Sequence, residues 1–164
     1  MSTTHPSSFK PLKTVRLGQY SSADQYLEAL KRVGCGLNRW ATAMVCELAI
    51  PQYASPLELD LVAVLVESLG IKPSGYYRDV CDCAIASGLE RCPPDTALAL
   101  GLAGFDSDGL HRIGSEPLTC RLGEDSHFTI FNVAGKVFLA GGAMRAHDVY
   151  VSSEHFIFVR PRTS

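Results

Sequence analysis

The 164-residue chain lacks any apolar run near the length of about 20 residues that a membrane-crossing helix needs. The longest such run, from Leu61 to Val66, is far too short. A charged-then-apolar leader is also absent, because Met1 is followed by serine, threonine, histidine and proline. We therefore expect no membrane partner and a location in the cytoplasm.

The glycine motifs of nucleotide-binding proteins are missing as well. Neither a G-x-G-x-x-G pattern after a strand nor a P-loop occurs, since Gly101 to Gly104 and the pair Gly141-Gly142 have neither the spacing nor the lysine. A glycine-flanked nucleophile motif is not found either. We predict no cofactor.

Six cysteines are present, but none is paired at the C-x2-C spacing of zinc sites. Cys81 and Cys83 are two positions apart on a predicted helix and therefore point to nearly opposite sides. A metal site formed by these two and Cys92 is thus the less favoured interpretation. Without a leader, and with enough chain to bury a core, we expect free thiols. The calcium-loop-like segment from Asp106 to Gly109 lacks its fifth and twelfth ligands, which predicts a solvated turn.

Charge is distributed unevenly along the chain, whose net charge is −2. Residues 1–40 hold six basic residues against two acidic ones, residues 41–111 hold three against ten, and residues 112–164 hold six against five. Phosphate contacts provide most of the affinity of nucleic-acid complexes, so the acidic middle argues against nucleic acid as a partner. A protein partner with a basic surface would complement this acidic segment.

Local signals predict helices in the N-terminal half. Capping residues Ser22 and Asn38 begin the first two helices, which end at Gly34 and Pro51. A third helix is expected from Pro56 to Leu69, because a capping box with proline at the first helical position precedes the apolar run. Part of this run would suit a strand, but the cap, the proline and the length favour a helix.

The pattern changes to strands further along the chain. A fourth helix is expected to start after Ser74 and run to Ser87, and a short one to follow Asp95. Alternating runs of β-branched and aromatic residues then predict five strands. These are Pro117 to Leu122, His127 to Val133, Lys136 to Ala140, Val149 to Val151 and His155 to Arg160.

We therefore predict an α+β fold in which an N-terminal bundle of four to five helices packs on a C-terminal antiparallel sheet of four to five strands. Residues 1–20 are expected to form a flexible basic arm, 21–104 the helical part and 105–164 the antiparallel β part, in one compact domain or two packed sub-domains. An arm that orders on a partner is the alternative.

Two groups of residues leave other functions open. The third and fourth helices have the proportions of a helix-turn-helix with strands as wings, although Asp79 and Asp82 on the recognition helix would repel phosphate. Cys120 and a histidine of the β half would form an enzyme's nucleophile pair if the fold brought them together. The histidines are His127, His147 and His155.

Acidic side chains on the predicted helices and aromatic side chains on the last strand are the candidate partner-binding residues. The acids would form an exposed face, and the aromatic strand would form a sheet edge that a partner strand extends, although alternating aromatics are more often core. The candidates are Asp60, Glu67, Asp79, Asp82, Glu90, Phe156 and Phe158. No catalytic, cofactor-binding or metal-binding residue is predicted.

Five short motifs carry a family resemblance. They are D-L-V-x-V-x-V-E-x-L-G at 60–70, G-L-E-x-C-P at 88–93, E-P-L at 116–118, I-F-N-V at 130–133 and F-x-F-V-R at 156–160. Together they resemble an uncharacterised family of small bacterial proteins, with a helical N-terminal half and a β C-terminal half. The chain departs from that family after Pro94, where members carry Leu-Arg-Leu and an aromatic-Asp-Gln stretch. The family has no established activity, so the resemblance implies no catalytic residue.

Our leading hypothesis is a non-enzymatic interaction protein, such as an inhibitor, adaptor or counter-defence factor that acts by protein–protein contact. It depends on the absence of a catalytic motif and on the uneven charge. A winged-helix-like nucleic-acid binder and an enzyme using a Cys/His pair are the alternatives.

Overall fold

The structure, a computed structural model, describes residues 5, 8–120 and 125–162. Within these residues an eight-stranded mixed sheet dominates the fold, and α-helices pack on it. The helices are α1 (Ala23–Arg32), α2 (Arg39–Glu47), α3 (Tyr77–Ala86) and α4 (Thr96–Ala103). The strands are β1 (Lys10–Leu17), β2 (Gly36–Leu37), β3 (Leu57–Leu65), β4 (Ser74–Tyr76), β5 (His111–Ile113), β6 (Leu118–Thr119), β7 (Asp125–Val133), β8 (Lys136–Ala143), β9 (Val149–Val151) and β10 (His155–Arg160).

Strands that are distant in sequence meet at the centre of the sheet. The order across it is β1-β3-β10-β5-β7-β8-β2, and β6 pairs with β7 beside this path. The pairs β5–β10 and β2–β8 are parallel and the other pairs are antiparallel. β4 and β9 form a separate two-stranded antiparallel ribbon, which we call the ribbon.

This topology shows that the predicted helix bundle on a four- to five-stranded sheet is wrong. The N-terminal half contributes β1, β2 and β3 to the main sheet, and the largest difference lies at the predicted third helix. That segment forms β3, followed by a 3₁₀ turn at Val66–Leu69. The helix-turn-helix predicted from it is therefore not formed.

The reason for the error at β3 is burial on both faces of the sheet. Leu61 packs in one core and Val62 and Val64 in the other, and a central strand of this kind has a continuous apolar sequence that resembles a buried helix. A capping box contributes on the order of 1 kcal/mol. Ladders to β1 on one side and β10 on the other outweigh it.

Other local predictions are confirmed. The Ser22 hydroxyl accepts the Gln25 N–H at the start of α1, and Asn38 Oδ1 accepts the Ala41 N–H at the start of α2. The predicted short helix is α4, and the predicted fourth helix is α3, which begins later because residues 74–76 form β4. Strands β7 to β10 also lie where the sequence predicts them, whereas the end of the strand predicted at 117–122 lies outside the described residues.

Part of the segment expected to be a flexible arm is an edge strand. Val15 and Leu17 of β1 are buried, and β1 pairs with β3. The ammonium group of Lys13 donates hydrogen bonds to the carbonyls of Ala103 and Gly104, at 3.1 and 2.9 Å, where α4 ends. A cation is favourable at this position because it faces the negative end of the helix dipole. Residues 1–4, 6 and 7 of the expected arm lie outside the described residues.

The two faces of the sheet have different covers. Helices α1, α2 and α4 cover one face, which we call the helical face, and their core includes Leu30 and Phe128. The ribbon and α3 cover the opposite face, which we call the ribbon face, and its core includes Tyr150, Phe156 and Phe158. No α-helix in the described ranges is both long and apolar enough to cross a membrane.

Candidate functional site

The ribbon exposes apolar side chains on its outer side. Tyr76 lies opposite Val149, Gly75 opposite Tyr150, and Ser74 opposite Val151. Because side chains alternate along a strand, Tyr150 points inward and is 4% exposed. Tyr76, Val149 and Val151 are instead 49%, 53% and 48% exposed, and we call these three side chains the ribbon surface.

A cleft of about 500 Å³ adjoins the ribbon surface at Tyr76. Three carboxylates line it, together with two guanidinium groups and apolar side chains, and we call it the acidic cleft. The charged residues are Asp79, Asp82, Asp125, Arg78 and Arg145. The sequence-based candidates Asp79 and Asp82 are thus brought together beside an apolar surface.

The start of α3 places these two acids. Asp79 Oδ2 accepts the backbone N–H of Tyr76 at 3.2 Å, in the first turn of the helix. Asp82 lies one turn further, 3.8 Å from Arg78 Nε and 3.7 Å from Arg91 Nη2. The Arg78–Asp82 pair is exposed and contributes little stability, so a partner's cation can replace Arg78 at small cost.

A partly buried arginine lies beneath the ribbon and connects it to the main sheet. Arg112 on β5 donates from Nε and Nη2 to Glu154 Oε1, at 3.0 and 2.8 Å, and its guanidinium carbon lies 4.8 Å from the ring centre of Tyr150. The other carboxylate oxygen of Glu154 accepts the Val151 N–H at 2.8 Å. Two residues of β9 are therefore attached to β5 through one guanidinium group and one carboxylate.

The same guanidinium fixes the protonation of His127. Arg112 Nη1 lies 3.0 Å from His127 Nε2, and since a guanidinium only donates, Nε2 accepts and the ring proton is on Nδ1. Burial, followed by the charge of Arg112, lowers the pKa of His127 to about 4, while Asp148 opposes the shift. Nδ1 is buried without a hydrogen-bond partner in the described structure. The imidazole is neutral at pH 7.

Tyr77 at the start of α3 completes this buried region. Its hydroxyl lies 2.9 and 2.8 Å from the carbonyl oxygens of Ile113 and Ser115 and accepts the N–H of Ser115 at 3.0 Å. Burial raises the pKa of Tyr77 far above its ordinary value. Its ring packs against His127 and Tyr150, so α3, the ribbon and the sheet share one contact.

A second, larger cleft of about 750 Å³ is lined by residues of β1, β3, β5 and β10 and by the loop before β5. His111 and His155 stack there with ring centres 4.6 Å apart, and His111 Nδ1 lies 3.3 Å from the Gly109 carbonyl oxygen. Burial lowers the pKa of His111. Asp106 and Asp108, predicted to form a solvated turn, line this cleft. Across the described ranges, no cluster of three or more histidine, cysteine or acidic residues is arranged to hold a metal ion.

The other predicted acids do not join Asp79 and Asp82 in the acidic cleft. Asp60 accepts hydrogen bonds from Thr14 and Arg162, and the Arg162 bond is the main cause that lowers the pKa of Asp60. Glu67 lies in the 3₁₀ turn, and Glu90 forms a backbone bridge with Val159. The single acidic face was expected because Asp60 and Glu67 would lie on a third helix. That segment is instead β3 and the 3₁₀ turn after it, so the face is not formed.

The aromatic strand is not a sheet edge. β10 lies between β3 and β5, and both Phe156 and Phe158 are 0% exposed. Solvent does not reach these rings, so a partner would contact them only after unfolding. Phe156 and Phe158 alternate with other residues because both point to the same face of a central strand, where they form core.

The cysteine and histidines of the enzyme alternative are dispersed. The thiol of the buried Cys120 contacts Ser126, with Sγ 3.9 Å from Oγ. His127 is held by Arg112, and His155 stacks on His111. In the described part of the chain, no hydrogen bond joins Cys120 to a histidine.

Sequence reasoning missed the residues that form the ribbon and hold it in place. Arg112, Glu154 and Tyr150 are up to 42 positions apart, and no motif connects them. The one available signal was the alternation of Val149 and Val151, which predicts a strand with one apolar side but not its exposure.

Comparison with known proteins found no matching family model, no matching curated protein and no matching solved structure. The resemblance to an uncharacterised bacterial family stays a prediction. Function must therefore be inferred from the geometry of the clefts and the ribbon.

Proposed function

We propose that this protein acts without catalysis by binding another protein at the ribbon surface and the adjoining acidic cleft, as an inhibitor, adaptor or counter-defence factor does. The observation that carries the proposal is the position of Tyr76, which belongs both to the exposed apolar ribbon surface and to the cleft that holds Asp79 and Asp82. Large apolar side chains that stay half exposed side by side are typical of interaction sites.

The chemistry of this region favours a partner segment with both apolar and basic side chains. Burying apolar surface contributes about 25 cal/mol per Å², and the ribbon surface offers three side chains for this purpose. The acidic cleft has three carboxylates against two guanidinium groups. An incoming lysine or arginine is therefore favoured, and an acidic segment is disfavoured.

The proposed place of action is the cytoplasm. All six cysteines are free, as is usual for proteins of a reducing compartment. Burial raises the pKa of Cys81 to about 11, so this thiol is a poor nucleophile at neutral pH. The raised pKa is in keeping with a role that does not use the thiol of Cys81.

A peptide-display selection tests the proposal without knowledge of the natural partner. Short random peptides would be selected on the immobilised wild-type protein, and we expect the survivors to be rich in lysine or arginine and in apolar residues. The double variant Asp79→Lys, Asp82→Lys should lose these peptides because two of the three carboxylates in the cleft change sign.

The matched control is Val133→Ser, which removes an apolar side chain of similar exposure (57%) at the end of β7, away from the ribbon. Val149→Ser should weaken binding at least tenfold, about 1.4 kcal/mol, and Val133→Ser should not. Acidic peptides, equal loss in both valine variants, or peptides that bind the double lysine variant equally well would overturn the proposal. A dimer dependent on Val149 would identify a second copy as the occupant instead.

A further inference from the structure

The ribbon's attachment to the sheet depends on charged groups whose interaction can change with pH. Arg112 holds Glu154 with two hydrogen bonds and Tyr150 through its ring, and Glu154 in turn holds the Val151 N–H. The remaining guanidinium nitrogen, Nη1, is directed at His127 Nε2. This contact requires the imidazole to be neutral, because a protonated ring has no acceptor.

We propose that protonation of His127 releases the ribbon from Arg112, so that acid switches off the ribbon surface. The release is a property of the fold by itself. Its consequence for partner binding rests on the function proposed above.

The surroundings of His127 give the direction of the effect. Arg112 from β5 faces the ring at 3.0 Å, so an imidazolium would lie against a guanidinium ion. Asp148 in the loop before β9 is the acidic group that favours protonation, and Tyr77 from α3 and Tyr150 from β9 contribute neutral rings. Arg112 joins Glu154 to His127, since it donates to the first and faces the ring of the second. Protonation therefore weakens the arginine contact and draws the ring towards the loop that carries Asp148.

Thermodynamic linkage between protonation of His127 and release of the ribbon sets how strongly the population of the released form changes with pH. In the attached form the pKa of His127 is lowered to about 4, and in a released, hydrated form it returns towards the ordinary 6.5. A group whose pKa is lowered in one form binds fewer protons there, so that form loses population as the pH falls through the window between the two values. The released form should gain up to about tenfold per pH unit from 6.5 down to 4.

Amide hydrogen exchange measures this release directly. Between pH 7 and pH 5, where carboxylates in general stay charged, the protection factors of the Val151 and Ser152 amides should fall by about tenfold per unit once the pH is below 6.5. These amides donate to Glu154 Oε2 and to the Pro73 carbonyl. The Val159 amide of β10, which donates to Glu90 O, is the internal control and should keep its protection.

Two variants separate His127 from other causes. His127→Gln keeps an acceptor for Arg112 but does not titrate, so the ribbon amides should lose their pH dependence. Arg112→Lys removes the forked donor, and the ribbon amides should lose protection at every pH while β10 keeps it. Constant ribbon protection in the wild type from pH 7 to pH 5, or an unchanged pH dependence in His127→Gln, would show that the inference is wrong.

An NMR titration of the His127 ring provides a readout that needs no variant. A midpoint near 6.5 with the ribbon amides still protected would overturn the inference. If exchange shows the release but selected peptides bind equally at pH 7 and pH 5, the proposed function fails and the switch stands.

Discussion

The helical face and the ribbon face of the same sheet differ in how far their polar groups have hydrogen-bond partners. On the helical face, the Tyr26 hydroxyl, Asp95 Oδ2 and Thr96 Oγ1 are buried without a hydrogen-bond partner in the described structure. On the ribbon face, the buried Tyr77 hydroxyl and both carboxylate oxygens of the partly exposed Glu154 are engaged at 2.8–3.0 Å, and His127 Nδ1 is the exception beside them, buried without a partner in the described structure.

This difference shows where the fold uses polar groups to fix geometry. A satisfied buried network specifies one arrangement, and breaking it is costly because a partner is left unpaired. Unpartnered buried groups only lower the stability. The helical face is thus held by apolar packing, whereas the position of the ribbon on the other face depends on a few named hydrogen bonds.

The largest expected effects should be equal on the two faces, because both have an aromatic core. Phe128→Ala on the helical face and Phe156→Ala on the ribbon face remove rings that are 1% and 0% exposed. Each should lower the free energy of unfolding by about 3–5 kcal/mol in urea denaturation. A cost below 1 kcal/mol for Phe156→Ala alone would mean that the ribbon face is not part of the cooperative core.

A matched pair of tyrosines should separate the faces. Tyr77→Phe removes a buried hydroxyl with three polar contacts to the backbone of Ile113 and Ser115, so it should cost about 1–3 kcal/mol. Tyr26→Phe removes a hydroxyl that has no hydrogen bond, and it should leave the thermal midpoint unchanged or raise it. Equal costs for the two variants would contradict the comparison.

The buried acid of the helical face should respond to pH. Asp95 is 0% exposed, and burial raises the pKa of its carboxyl group above the ordinary 3.8. Asp95→Asn should therefore stabilise the protein at pH 7, by an amount on the order of 1 kcal/mol, in thermal unfolding.

The sign of this pH dependence follows from proton binding. With a raised pKa, the folded protein holds the Asp95 proton at pH values where the unfolded chain has lost it. The wild type thus loses stability relative to Asp95→Asn as the pH rises from about 3.8 through the folded pKa, and the difference then stays constant. A difference that grows towards acid pH would show that the carboxylate is stabilised instead.

The smallest effect concerns the attachment of α4 to β1 on the helical face. Lys13→Met removes the cation that binds the carbonyls of Ala103 and Gly104, and it should cost about 0.3–1 kcal/mol. Lys10→Met, on the same strand but exposed, is the control and should change the thermal midpoint less. The difference should shrink in high salt, where the charge is screened.

Local signals were sufficient for elements whose boundaries depend on neighbours in sequence. Ser22 and Asn38 begin helices because each side chain accepts an N–H three residues ahead. The same reasoning was wrong for Leu57–Leu65, where two sheet partners decide the conformation. It also placed Asp79 and Asp82 correctly at the surface but had no means to find the ribbon beside them.

The sequence by itself determined the caps of α1 and α2, the C-terminal strands and the acidic charge of the middle segment, because these depend on residues close together in the chain. Tertiary structure alone decided that Leu57–Leu65 is a strand, that Phe156 and Phe158 are core, and that Arg112 meets Glu154 and His127. Pairing across the sheet brings together residues separated by tens of positions, and the free energy of those contacts outweighs local preference.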